Sequence, residues 1–237
     1  MSKKYRPELT EPMPSGIKKL PVHRGYPVPW FVAWVDMPAG YEGELPYGGK
    51  PGMIPEFRLS SAEKPIIACN QNRCWVCGEK MNTVEGFTFV IGPMCGINRI
   101  SVEPSSHHDC AVWSAINCPF LSKPNMVRRE NDIPVSAAPP PGIMIKANPG
   151  VTLIWTTKTF NLEYDESYRA SVRHPLFRLG DPLKVEWYAE GKPATLQQVE
   201  VAIAKGLPNL EKHIQEESER EMLAIGLQVL KNYFPKD

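Results

Sequence analysis

Two short ligand pairs, Cys74-Trp75-Val76-Cys77-Gly78 and Ser106-His107-His108-Asp109-Cys110, constrain this chain more than any other feature. Two thiolates three positions apart can grip one ion from a tight turn, and Gly78 accommodates the positive φ that ends such a turn. A His and a Cys three positions apart on a helix project from one face and can supply the other two ligands. A closed set of four Cys/His ligands is the composition of a structural zinc site, so the pattern predicts Zn2+ on Cys74, Cys77, His107 and Cys110. His108 points about a quarter-turn away from that face. It remains an alternative ligand, as does Cys95 in Gly92-Pro93-Met94-Cys95-Gly96. Cys69 and Cys118 read as core residues.

All six cysteines lie between Cys69 and Cys118. A secreted disulfide scaffold would spread them to staple distant parts, whereas local clustering fits metal binding in a reducing compartment. The polar start, Met1-Ser2-Lys3-Lys4-Tyr5-Arg6-Pro7, lacks the apolar core of a signal peptide. No apolar run approaches the ~20 residues that span a bilayer. The expectation is a cytoplasmic protein without a membrane segment.

Of 237 residues 25 are proline, about twice the typical ~5%, which predicts many loops and extended connections. Residues 1–20 combine Pro7, Pro12 and Pro14 with charge and read as a flexible N-terminal arm. Residues 21–136 read as a zinc-binding α+β region, 137–150 as a Pro-rich connector, and 151–237 as strands followed by two C-terminal helices. The fold class is thus α+β: a zinc-stabilised N-terminal half with short strands, and a strand-then-helix C-terminal half.

Within that frame, residues 30–35 are apolar on both faces and predict a buried strand, followed by a long loop over 38–56 and a short strand at 57–59. Ser61-Ala62-Glu63 opens a short helix that tolerates Pro65 in its first turn. Residues 86–92 form a Gly-bounded strand. Ser106 with Asp109 has the form of a capping box, starting a helix that stops before Pro119. Alternation predicts strands around 151–156 and 183–190. Thr195 with Gln198 caps a helix that Gly206-Leu207-Pro208 should break, with Asn209 capping the last one. That last helix carries a stripe of Leu210, Ile214, Ile225 and Val229, widened by Leu223, Leu227 and Leu230, with Glu216 and Arg220 paired on its wet side.

Charge narrows the function classes. Formal net charge is +1, from 27 basic and 26 acidic residues, and the clusters Lys3-Lys4-Tyr5-Arg6, Lys18-Lys19 and Arg128-Arg129 are small. A dedicated nucleic-acid binder shows a basic excess or stripe. No G-x-x-x-x-G-K-[ST], G-x-G-x-x-G or G-x-S-x-G occurs, and the H-x-E and P-C-x-x-C of zinc deaminases are missing. Most of the six tryptophans fall inside strand or helix patterns and read as core anchors before stacking platforms.

A knuckle, then a strand, then a helix whose first turn supplies the second ligand pair resembles a treble-clef zinc finger, over about residues 70–120. Treble clefs also carry the HNH nucleases, in which a His on the hairpin strand activates water; the strand at 87–91 has no His. The residues therefore favour a non-enzymatic zinc-binding interaction protein, with no catalytic residues and a protein partner before a nucleic acid. An HNH-like or other metal-dependent nuclease or hydrolase is the runner-up, and a small nucleic-acid-binding factor the third reading.

A wider resemblance is carried by Arg73-Cys74-Trp75-Val76-Cys77-Gly78, Phe89-Val90-Ile91-Gly92-Pro93-Met94-Cys95, Asn98-Arg99, Ser106-His107, Asp109-Cys110-Ala111 and Cys118-Pro119-Phe120-Leu121. Trp187-Tyr188-Ala189-Glu190-Gly191 and Gly206-Leu207-Pro208 extend it over most of the chain. Together these resemble an uncharacterised family of bacterial and phage-associated proteins. The resemblance brings no activity; it implies a bacterial or viral cytoplasm and agrees with a knuckle-and-helix metal site.

Overall fold

The computed structural model describes residues 4–10, 12–124, 126–127, 148–164 and 175–236. Arg128-Arg129 and residues 137–147 of the expected connector lie outside them. In chain order the elements are α1 (Ser15–Lys19), β1 (Val22–His23), β2 (Tyr26–Pro27), β3 (Val32–Asp36), β4 (Met53–Ser60) and α2 (Lys64–Gln71). They continue with β5 (Phe87–Ile91), α3 (Pro93–Asn98), β6 (Ile100–Ser101), α4 (His108–Asn117) and α5 (Pro119–Ser122). Beyond residue 148 follow β7 (Thr152–Thr157), β8 (Phe160–Tyr164), β9 (Pro175–Leu179), β10 (Pro182–Ala189), β11 (Lys192–Pro193), α6 (Leu196–Glu211) and α7 (Glu217–Lys231). Among the described residues no helix is long and apolar enough to cross a membrane.

A mixed α and β fold results, organised by a four-stranded antiparallel sheet in the order β11-β10-β7-β5. Because side chains alternate along a strand, Phe89 and Ile91 of β5, Leu153 and Trp155 of β7 and Trp187 and Ala189 of β10 share one face. On that face they pack with Met94 and Ile97 of α3, Val199, Ala202 and Ile203 of α6, and Leu230 of α7. The other face carries Val90, Ile154 and Tyr188 and is covered by Ala111, Val112 and Ala115 of α4. Helices therefore lie on both sides of the sheet, and α4, which bears half of the predicted ligands, is laid flat on one of them.

This layering spans the expected connector. β5 precedes it in sequence and β7 and β10 follow it, yet they share one sheet. β6 likewise pairs with β9 in a second, three-stranded sheet, β6-β9-β8.

Several local expectations are refined or corrected. The strand expected around 151–156 forms as β7 and is buried on both faces, its threonines included. Thr156 meets Thr88 across the ladder at 3.0 Å on the face under α4, and on the opposite face Thr157 donates to the Asp181 carbonyl at 2.8 Å, so both hydroxyls are satisfied. The stretch at 30–35, read as buried on both faces, yields the half-exposed β3, paired only with β4; Phe31 instead stacks on Trp75 at 4.9 Å. Gly206 and Pro208 do not end α6, which runs on to Glu211. Lacking a side chain, Gly206 lets α6 settle on Met94, and Leu207 and Leu210 reach the core beyond it, which offsets the hydrogen bond that Pro208 removes. The last helix starts at Glu217 rather than after Asn209, with the Glu219 carboxylate accepting the backbone N–H groups of Gln215 and Glu216. Of the expected stripe, Leu210, now in α6, and Leu223, Leu227 and Leu230 of α7 face the core, and Ile225 is exposed. Arg220 pairs with Glu217, at 3.5 Å, on the outer side.

Residues 13–20, read as part of a flexible arm, are packed. Pro14 stands at the N-cap of α1, where its fixed φ suits a helix start, and Met13, Ile17 and Leu20 are buried. His23 is also buried, in β1. Its Nδ1 has no hydrogen-bond partner among the described residues, and its ring stacks on Phe57 at 6.3 Å. Burial, aided by Arg24 and opposed by Glu44, lowers its pKa below the ordinary histidine value. A histidine held neutral this way binds a proton more readily unfolded than folded. Stability is therefore unaffected well above pH about 6.5 and falls as the pH drops through that value toward the folded pKa. We predict that His23→Phe flattens the decline of Tm between about pH 7 and pH 5; parallel declines in the two proteins would remove this role.

Candidate metal centre

The knuckle is built from the end of α2. Asn72 takes a left-handed conformation that turns the chain, Arg73 bridges to Lys80, and the Cys74 N–H donates to the Glu79 carbonyl at 2.8 Å. Inside this narrow hairpin the Gly78 N–H donates to the Cys74 carbonyl at 2.8 Å, with Gly78 at φ +74. A side chain at Gly78 would also run into the Trp30 ring, at 2.5 Å from its nearest atoms, so both conformation and space select glycine.

The second pair comes from the start of α4. Ser106 is not its cap: its N–H donates to the Thr88 carbonyl at 2.7 Å, fastening the chain to β5. His107 takes the N-cap position instead, with its N–H donating to Cys74 Sγ at 3.3 Å. Asp109 accepts from the Cys110 N–H at 2.8 Å. The helix thereby delivers both His107 and Cys110 to the knuckle.

Cys74, Cys77, His107 and Cys110 converge, with their ligand atoms all within 4.8 Å of one another. His107 Nδ1 lies 3.4 Å from Cys77 Sγ and 4.0 Å from Cys110 Sγ. A tetrahedral ion with thiolate and imidazole bonds of about 2.3 and 2.0 Å has ligand–ligand edges of about 3.5–3.8 Å, which these separations bracket. His107 Nε2 sits 3.3 Å from the Lys80 carbonyl. That contact holds a proton on Nε2, so Nδ1, which faces the sulfurs, is the atom that would bind a metal once its own proton is displaced, the usual outer-shell arrangement of a metal-bound histidine. The three cysteines are buried and His107 is half-buried.

Their acidities follow from the crowding. The Cys74 thiol is pulled far down, first by the hydrogen bond from Cys110 and then by that from Cys77. His107 is raised to about 11, by its hydrogen bonds to Cys74 and then Cys77. Cys110 is pushed far up by the same two sulfurs, with burial adding to it. Among protons alone the cluster thus supports one thiolate and resists further negative charge. A divalent cation between the sulfurs reverses that penalty, because it stabilises all the thiolates together and displaces their protons.

The alternative ligands stand elsewhere. Cys95 lies in α3 against the main core and its thiol pKa is raised by burial. Cys69 packs on the same core and is pushed up to about 11, and the buried Cys118 thiol is raised as well. His108 turns away from the cysteines and meets Glu186 of β10 at 2.5 Å, with Lys184 3.0 Å from the same carboxylate. Burial works to raise Glu186, yet its bonds to His108 and Lys184 leave it below the usual carboxylate range. The His108–Glu186 tie, which pins the metal-bearing helix to the sheet, was not foreseeable from one sequence, because the partners lie 78 positions apart.

Fold and site together define a mixed α and β chain with a Cys3His cluster able to hold a metal ion. Comparison with protein-family models, with curated proteins and with solved structures returns no match.

Proposed function

We propose that this is a zinc protein in which the ion is structural and the work is binding another macromolecule, a protein before a nucleic acid. One observation carries the first part: four protein ligands already surround the centre, so no coordination position remains for water or substrate, as a catalytic zinc requires. Three thiolates and an imidazole suit a borderline-soft ion that prefers a tetrahedron, which favours zinc over magnesium or calcium. We read the knuckle and the first turn of α4 as a treble-clef-like pair, although the strands between them join β7 and β9 rather than each other. A bacterial or phage-infected cytoplasm is part of the same proposal, as the resemblance to bacterial and phage-associated proteins implies. The interaction reading is supported by near-zero net charge and by Met222 and Ile225, two large apolar side chains exposed on α7.

The runner-up, metal-assisted hydrolysis, draws on the polar group His108, Glu186 and Lys184 beside the metal-bearing helix. Two measurements separate the readings. Protein purified without added metal is expected to carry about one zinc per chain, with partner capture from the host lost in a Met222→Asp/Ile225→Asp variant of unchanged Tm. A nuclease or hydrolase turnover abolished by His108→Ala in a folded, metal-replete protein would overturn the interaction reading. Binding to DNA or RNA that falls steeply with salt would move the assignment to a nucleic-acid factor.

A further inference from the structure

Helix α1 sits directly on the metal centre. At Gly16 an added Cβ would lie 2.8 Å from Cys77 Sγ and 2.9 Å from Cys77 Cβ, so the helix approaches this closely only because no side chain intervenes. Met13, Ile17 and Leu20 form one apolar cluster with Cys74, Cys77 and Cys110, so the ligands themselves are the surface on which the segment rests. Tyr5 and Leu9 pack at its margin, and Thr10 reaches α4 through Asn117 and the Trp113 indole N–H. The nearest charged tie, Lys19 to Glu79 at 2.5 Å, joins two exposed side chains, a type of contact worth little. Residues 4–10 are therefore tied by hydrogen bonds, Arg6 N–H to the Gly25 carbonyl at 3.0 Å and Thr10 N–H to Asn117 Oδ1 at 2.7 Å, whereas residues 13–20 are held mainly by apolar contact with a floor of Val76 and the three ligand cysteines.

We infer that this N-terminal segment is a lid on the metal centre, whose closure and metal retention are coupled. Metal draws the three sulfurs and His107 into one compact floor, and on that floor Met13, Ile17 and Leu20 find their seats. Seated, the lid covers Cys77 and bars a competing ligand from the sulfurs. Such coupling is reciprocal: whatever lifts the lid loosens the metal, and whatever removes the metal lifts the lid. The inference rests on the metal-binding reading given above. Opening would also bare Trp113, so metal loading would govern whether this side of α4 is free.

The test uses the full chain. Gly16→Leu inserts bulk against Cys77, and Met13→Ala removes lid packing without inserting any, which keeps the comparison available should the first variant not fold. Each is expected to retain one metal per chain while the backbone amides of residues 15–20 exchange faster with deuterium. Metal affinity, read by competition with a colorimetric chelator, is expected to weaken about 5- to 150-fold, the range typical of coupled sites, with faster transfer to the chelator. Stripping the parent with EDTA should release the same amides while those of β7 and β10 stay protected. Unchanged affinity in variants with a released segment, or equal protection of the segment with and without metal, would sink the lid. A parent chain that binds no metal would instead remove the metal reading itself, so the two failures are distinguishable.

Discussion

Cys74→Ser and Cys110→Ser are each expected to abolish stoichiometric metal binding and to lower the melting temperature at the same time. Cys74 lies at the centre of the cluster and accepts N–H groups from Cys77 at 3.5 Å and His107 at 3.3 Å, so its sulfur organises both halves of the site. Structural zinc contributes about 10–16 kcal/mol of apparent binding energy in small fingers. A whole domain is stable by only about 5–15 kcal/mol, so even a small fraction of that binding energy lowers the melting temperature measurably while the sheet core still holds. A serine hydroxyl in the same buried place is a poor zinc ligand compared with a thiolate. The proper control is Cys95→Ser, in α3 against the main core, which is expected to keep full metal content. Metal analysis of the purified variants, with melting curves at several zinc concentrations, decides the matter. A Cys77→Ser protein with full metal and parental stability would show that the ligand set is drawn wrongly. Acid is expected to release the metal, since each ligand must give up its proton to bind.

How much of this was legible in advance depends on whether a residue's partner is near in sequence. The Cys74–Cys77 pair declares itself through spacing and Gly78, and the structure brings the His107–Cys110 pair to it as expected. The capping box of Thr195 and Gln198 also forms as read, because it is closed within one turn. Cues with distant partners misled. Ser106 has the right type for a cap, but its N–H is taken by Thr88, and His107 must occupy the cap to turn its ring toward the sulfurs. Thr152 and Thr156 alternate with apolar residues, and nothing local reveals that α4 covers and buries their face. Gly206 and Pro208 are true helix breakers whose effect is outweighed by the packing of α6 on Met94. The largest omission had a visible signal: Met13, Ile17 and Leu20 keep helical spacing after a proline suited to a helix start, and the neighbouring prolines and charges obscured it.

The same long-range pairing leads to the second large expected effect: fragments 1–136 and 151–237 should not fold when produced separately. The C-terminal fragment would keep β7, β10, α6 and α7 but lose β5 and α3, which line both the edge of the sheet and the floor beneath α6. Phe89, Ile91, Met94 and Ile97, all buried, would leave with them. Removing a single large core side chain costs about 2–5 kcal/mol, so four such losses match or exceed the about 5–15 kcal/mol that stabilises a domain. The N-terminal fragment would retain all four metal ligands, yet the face of α4 that packs on Ile154 would be bare and β5 would have no ladder partner in β7. It is expected to bind zinc as a loosely packed chain, because a knuckle and one helical turn suffice for ligation while burial of the sheet does not follow. Mixed, the two fragments should recover a cooperative melt, since the missing strand and helix are then supplied in trans. Circular dichroism melts and amide dispersion of each fragment and of the mixture test this directly. A sharp, cooperative transition in the isolated 151–237 fragment would mean that the sheet does not depend on β5, and that the metal-bearing half is an independent unit resting on a self-sufficient one.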